Sequence, residues 1–125
     1  MKPKKVLVVD DSKLLHRMFE LMLRQVPLVH AYDGVEALER LAEHKDVDLV
    51  LLDMNMPRMD GLGFLTAVKA NTAFQAIPVV IITTEGTDGQ TQRGLQAGAA
   101  AYIKKPFRNE ELLSVIDALA AGSAA

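Results

Sequence analysis

Short apolar runs ending in a polar or charged residue recur along this chain and alternate with segments of helical period. Val6-Leu7-Val8-Val9 runs into Asp10-Asp11-Ser12. Leu28-Val29-His30-Ala31 precedes the turn signal Asp33-Gly34. Asp48-Leu49-Val50-Leu51-Leu52-Asp53 is apolar throughout its interior, and Pro78-Val79-Val80-Ile81-Ile82-Thr83 starts on a proline, where a strand tolerates one. Tyr102-Ile103 closes a shorter fifth run. Continuous rather than alternating apolar strands are those buried on both faces. Between them, apolar residues fall at helical spacing: Leu14, Leu15, Met18, Phe19 and Met22, then Val35, Leu38 and Leu41, then Leu62, Phe64, Leu65 and Val68. Ser12 or Asp11 is a plausible cap for the first helix, Pro27 breaks it, and the third closes near Asn71. The stretch from Thr91 to Ala97 is a weak helix, interrupted by Gly94 and strongly apolar only at Leu95. Leu112, Leu113, Val115, Ile116 and Leu119 make the last helix, with Asn109 as its expected cap and Ala120 to Ala125 expected to fray.

Strand–helix alternation of this kind builds right-handed crossover units and a parallel sheet with helices on both faces. The expected fold is therefore α/β, a doubly wound five-stranded sheet. At 125 residues the chain has room for one domain, residues 1–125, and its apolar half is enough for a core. The absence of cysteine excludes disulfides, cysteine nucleophiles and cysteine-bound metal, and fits a reducing compartment. A net charge of -2 suggests no attraction to nucleic acid or to an anionic membrane. No apolar run approaches the roughly 18 residues of a membrane span, and the four apolar residues behind the basic N-terminus are too few for an export signal. The expected place is the cytoplasm.

In open parallel sheets ligands bind beyond the carboxyl ends of the strands. There the first strand delivers Asp10 and Asp11, the third Asp53, the fourth Thr83 followed by Thr84 and Glu85, and the fifth Lys104 and Lys105. Two unit charges 4 Å apart repel by about 4 kcal/mol at an effective dielectric of 20. Three neighbouring carboxylates must therefore shift their pKa values, recruit a cation, or both. Oxygen-only ligands suit a hard divalent ion such as Mg2+, whose open positions suit phosphate oxygens. A lysine can hold a phosphoryl oxygen as a point charge. One carboxylate is then free to act as nucleophile and form an acyl phosphate, and Asp53, on the most apolar strand, is the best candidate.

These residues carry a resemblance. Val8-Val9-Asp10-Asp11-Ser12, Leu51-Leu52-Asp53-Met54-Asn55-Met56-Pro57, Met59-Asp60-Gly61, Ile82-Thr83-Thr84-Glu85, Ala97-Gly98-Ala99 and Tyr102-Ile103-Lys104-Lys105-Pro106-Phe107 occur in order and at matching spacing. The chain resembles the receiver domain of two-component response regulators, most closely the single-domain CheY-like kind, from about Lys5 to Leu119. The resemblance implies a flavodoxin-like (βα)5 fold with strand order 2-1-3-4-5. It implies that Asp53 accepts a phosphoryl group from a sensor histidine kinase or phosphotransfer protein. Asp11, Asp53 and the backbone carbonyl of Asn55 would bind Mg2+, and Asp10 would act mainly through water and by hydrogen bonding to the lysine. Lys105, just before Pro106, matches the family's lysine. Thr83 would turn toward the phosphoryl group and Tyr102 would follow it. That motion would reshape the surface of the fourth helix, fifth strand and fifth helix, where a downstream target binds. Asn55 and Glu85 would tune dephosphorylation. A monomer of the chemotaxis, motility or phosphorelay type is expected, with no output domain attached.

Other readings remain beside this one. Asp11 alone is equally a helix cap, Thr83 alone a strand residue, Lys105 alone a surface lysine, and Tyr102 alone a core residue. A non-phosphorylated pseudo-receiver would serve only as an interaction module. A haloacid dehalogenase-like phosphotransferase also places an aspartate after an apolar strand, but it needs an acid two residues on, where this chain has Asn55. A dinucleotide site lacks its glycine fingerprint after the first strand. Met54 stands where many chemotaxis members have tryptophan, and Gly63 should weaken the start of the third helix. His16, His30 and His44 look isolated by type and spacing and are expected to be structural or surface residues. The Met18, Met22 and Met54–Met59 sulfurs are expected to pack, and Lys2, Lys4 and Lys5 to form a solvated end.

Overall fold

The computed structural model describes residues 4–24, 26–53, 59, 61–83, 93–104 and 107–122. In chain order the elements are β1 (Val6–Val9), α1 (Lys13–Met22), β2 (Leu28–Ala31), α2 (Gly34–Glu43), β3 (Leu49–Asp53), α3 (Gly61–Ala70) and β4 (Val79–Thr83). A helical turn over 93–96 (α4), β5 (Ala101–Lys104) and α5 (Asn109–Gly122) follow. All strands are parallel and form one sheet in the order β2-β1-β3-β4-β5. The order reverses between β1 and β3, because the chain winds first to one edge and then to the other.

Alternate residues of each strand face opposite sides. Leu7, Val9, Val50, Leu52, Val79 and Ile81 join Ala37, Leu41, Phe64, Leu65 and Val68 in one buried cluster under α2 and α3. Val6, Val8, Leu49, Leu51, Val80 and Ile82 join Leu15, Phe19, Leu112 and Ile116 in the other, under α1 and α5. Burial on both sides explains why β1 and β3 read as unbroken apolar runs. The edge strand β2 alternates instead, with Val29 and Ala31 buried and Leu28 and His30 half-buried.

The helix starts follow local chemistry. Ser12 caps α1, its Oγ accepting from the Leu15 N–H at 3.3 Å. Asp33 caps α2 by accepting from the Glu36 N–H at 2.8 Å. The start of α5 differs from expectation by one residue. The Arg108 carbonyl accepts the first helical bond, from Leu112, and the Arg108 N–H donates to Glu111 Oε1 at 3.4 Å. Arg108 is therefore the cap and Asn109 the first helical residue, with Glu111 reaching back as in a capping box. The helix also runs on through Gly122, past the expected fraying point at Ala120. Asn71 ends α3 as expected, its Oδ1 accepting from the Ala73 N–H.

Gly94 is not a defect in a weak helix. A Cβ there would lie 2.2 Å from Ile81 Cδ1, so its absence lets α4 approach β4 closely. Lys5 is not a solvated end: its ammonium pairs with Asp46 at 3.0 Å and contacts His44 Nδ1 at 3.4 Å. The Asp48 carboxylate, just before β3, accepts from the Lys4 and Lys5 N–H groups and ties the chain start to the sheet. Lys2 lies outside the described residues. No helix among the described residues is long and apolar enough to cross a membrane.

Candidate functional site

Sheet register brings the acids together. Val9 pairs with Leu52, so the residues that follow, Asp10 and Asp53, emerge side by side at the carboxyl end of adjacent strands. Asp10, Asp11 and Asp53 each present a carboxylate oxygen, and these oxygens lie within 4.8 Å of one another. Asp10 and Asp53 are buried and Asp11 is exposed. Two of the acids are thus held by rigid strand ends, while the third faces solvent at the mouth. Oxygen-only donors at this spacing fit Mg2+.

The segment carrying Asp10 and Asp11 is tightly tied. The Asp10 N–H donates to the Ala31 carbonyl at 3.1 Å. Asp10 Oδ1 accepts from the Ser12 N–H at 2.8 Å, a charge-assisted bond inside the β1–α1 turn. Its carbonyl oxygen accepts from His16 Nε2 at 2.7 Å. Met59 is anchored as well, since the Gly34 N–H at the start of α2 donates to its carbonyl at 3.1 Å. A Cβ at Gly34 would lie 2.7–2.8 Å from Met59 Cγ, Cβ and O.

Further along the edge, Asp53 pairs with Ile82 and Thr83 with Lys104. The backbone of Thr83 therefore ends β4 next to the strand that carries Asp53, as the sequence implied. The Thr83 side chain lies outside what the structure describes, as do Asn55, Glu85 and Lys105. Lys104 is exposed at the end of β5, and Tyr102 is half-buried, packed against the α2–α3 cluster. Leu95 and Leu113 are exposed apolar residues on α4 and α5. On α1, Leu14, Met18 and Leu21 are exposed at successive turns, so Met18 is not a core residue.

His16 and His30 are not isolated, against the expectation from type and spacing. His16 is 2% exposed, and its Nδ1 lies 2.6 Å from Nδ1 of His30. Tyr32 also packs against the His16 ring, 4.3 Å between centroids. Burial, and secondly His16, hold His30 below its ordinary pKa, with Glu20 opposing. No periodicity in the sequence links positions 16 and 30. The available signal was a lone polar residue on the buried face of a helix.

Comparison with known proteins agrees with this geometry. The sequence model for the response regulator receiver domain matches residues 6–117. The chain is 39% identical over 111 residues to chemotaxis protein CheY1 of Helicobacter pylori, covering 86% of this chain and 90% of that protein. It is 35% identical over 116 residues to protein PilG of Pseudomonas aeruginosa, covering 91% and 85%. The structure of Vibrio cholerae chemotaxis protein CheY4 superposes with a TM-score of 0.84 at 34% identity, covering 91% of this chain and 96% of that one.

Proposed function

Because the chain belongs to the response regulator receiver domain family, we propose that it is a cytoplasmic phosphoryl-accepting switch of the chemotaxis or motility type. The observation that carries this reading is the convergence of Asp10, Asp11 and Asp53 at one strand edge, in a chain that matches the family almost end to end. An Asp53 Oδ attacks the phosphorus of a phosphohistidine on a sensor kinase or phosphotransfer protein. The new O–P bond forms as the P–N bond breaks, and the electron pair leaves with the donor's imidazole nitrogen. Asp11, Asp53 and the Asn55 carbonyl are the residues that would hold Mg2+, with Asp10 acting through water. When bound, the ion offsets the crowded negative charge of carboxylates and phosphoryl oxygens.

The rest of the edge takes its part from chemistry. Lys105 holds a phosphoryl oxygen, Thr83 hydrogen-bonds another, and Tyr102 follows Thr83. Asn55 and Glu85, two residues beyond Asp53 and Thr83, govern water access and so the lifetime of the acyl phosphate. Exposed Leu95 and Leu113 support a target-binding surface on α4, β5 and α5. The exposed Leu14, Met18 and Leu21 suit the phosphodonor, because the N-terminus of α1 adjoins the acids. A target reads the switch only if it binds the two states with different affinity.

The test is intact-mass spectrometry after incubation with acetyl phosphate, with and without Mg2+, on wild type and Asp53→Asn. One added phosphate that needs Mg2+ and is absent in the variant supports the reading. If no adduct accumulates, beryllofluoride with NMR decides. Shifts around Asp53 and Thr83 mean a short-lived switch, and none mean a pseudo-receiver.

A further inference from the structure

We propose that His16 is a positioning residue for the acidic pocket, a role that rests on the Mg2+-binding reading above. A carbonyl oxygen has no hydrogen to give, so in the 2.7 Å contact with Asp10 O the hydrogen sits on His16 Nε2. In a neutral ring that leaves Nδ1 bare. The Nδ1 of His30, 2.6 Å away, must then carry the hydrogen between them. With both rings neutral, His30 donates to His16, and His16 donates to the backbone of Asp10. The ring of His16 has little freedom to turn, buried as it is against His30 at 4.8 Å and Tyr32 at 4.3 Å between centroids.

The consequence falls on Asp11. A hydrogen bond on the Asp10 carbonyl fixes the plane of the peptide that joins Asp10 to Asp11. The bonds from its N–H to Ala31 and from Ser12 to its Oδ1 hold the Asp10 residue itself. The bond from His16 acts directly on the peptide leading to Asp11, the exposed member of the trio. Without it, that peptide can rotate and carry the Asp11 carboxylate away from Asp10 and Asp53. Partners that orient ligands from behind typically contribute 10–100-fold in metal affinity.

The experiment is a MgCl2 titration of the full chain, read by amide NMR shifts, on wild type, His16→Leu and His16→Gln. The Leu side chain fills the space without a donor, whereas the Gln amide can still donate to the Asp10 carbonyl. Binding by His16→Leu should weaken about tenfold, while His16→Gln stays near wild type. A Leu variant that binds like wild type, or a Gln variant as weak as the Leu variant, would overturn the role. Should His16→Leu fail to fold, imidazole nitrogen-15 NMR of the wild type is decisive without Mg2+. Hydrogen on His16 Nε2 supports the relay, and hydrogen only on Nδ1 overturns it. A wild type that ignores Mg2+ overturns the metal-binding reading and this role with it. A wild type that binds, with a Leu variant that binds equally, overturns the role alone.

Discussion

Replacing Asp53 with asparagine should stabilise the fold in the absence of divalent metal. The carboxylate oxygens of Asp10, Asp11 and Asp53 lie within 4.8 Å of one another. At an effective dielectric of 20, two unit charges at that distance repel by about 3.5 kcal/mol, and at the dielectric of water by about 0.9 kcal/mol. The first figure suits Asp10 and Asp53, which are buried, and the second suits the exposed Asp11. Since 4.8 Å is the largest separation, neutralising Asp53 relieves about 4 kcal/mol or more of repulsion before solvent and neighbouring positive charge reduce it. A gain of about 1–3 kcal/mol is expected, or about 4–12 °C in melting temperature at roughly 4 °C per kcal/mol. The assay is calorimetry of wild type and Asp53→Asn in EDTA and again in Mg2+. The advantage of the variant should shrink in Mg2+, because only a folded chain with its acids intact gains by binding the ion. If Asp53→Asn melts at or below the wild type in EDTA, the acids are not in electrostatic conflict and the case for a recruited cation fails.

Gly34→Ala should lose about 1–3 kcal/mol of stability by urea titration, since the new Cβ would press on Met59; an unchanged midpoint would mean that this contact yields freely. His30 holds less proton when folded than its ordinary value of 6.5 implies. The unfolded chain then binds more protons, so stability falls as pH drops from about 6.5 through the lowered value and then levels off. His30→Gln should flatten that window, and an unchanged slope between pH 7.5 and 5 would refute the cause. Thr83→Ala should still accept phosphate by mass spectrometry but transmit poorly, and partner binding with wild-type phosphate dependence would remove Thr83 from the switch.

Much of this molecule is legible residue by residue. Continuous apolar runs at 6–9, 49–52 and 79–82 are the central strands because both faces of the sheet are covered. Ser12 caps its helix through a bond to Leu15, three residues on, which sequence spacing can show. At the start of α5 asparagine is the better cap by type, but the Arg108 N–H donating to Glu111 Oε1 sets the cap one residue earlier. Gly94 read as a helix interruption because propensity sees only the missing side chain. The structure shows Ile81 filling the space that side chain would occupy.

The repeated strand–helix units, the acids after the first and third strands and the residue types of the acidic cluster are legible from the residues alone. These depend on periodicity and on bonds between near neighbours. Which strand ends lie side by side was decided only by the tertiary structure. The register of Val9 with Leu52 sets Asp10 beside Asp53, although they are far apart in the chain. The same holds for His16 and His30. They meet only because β2 lies beside β1 and turns His30 toward the face that α1 covers, a contact between elements that no local pattern encodes.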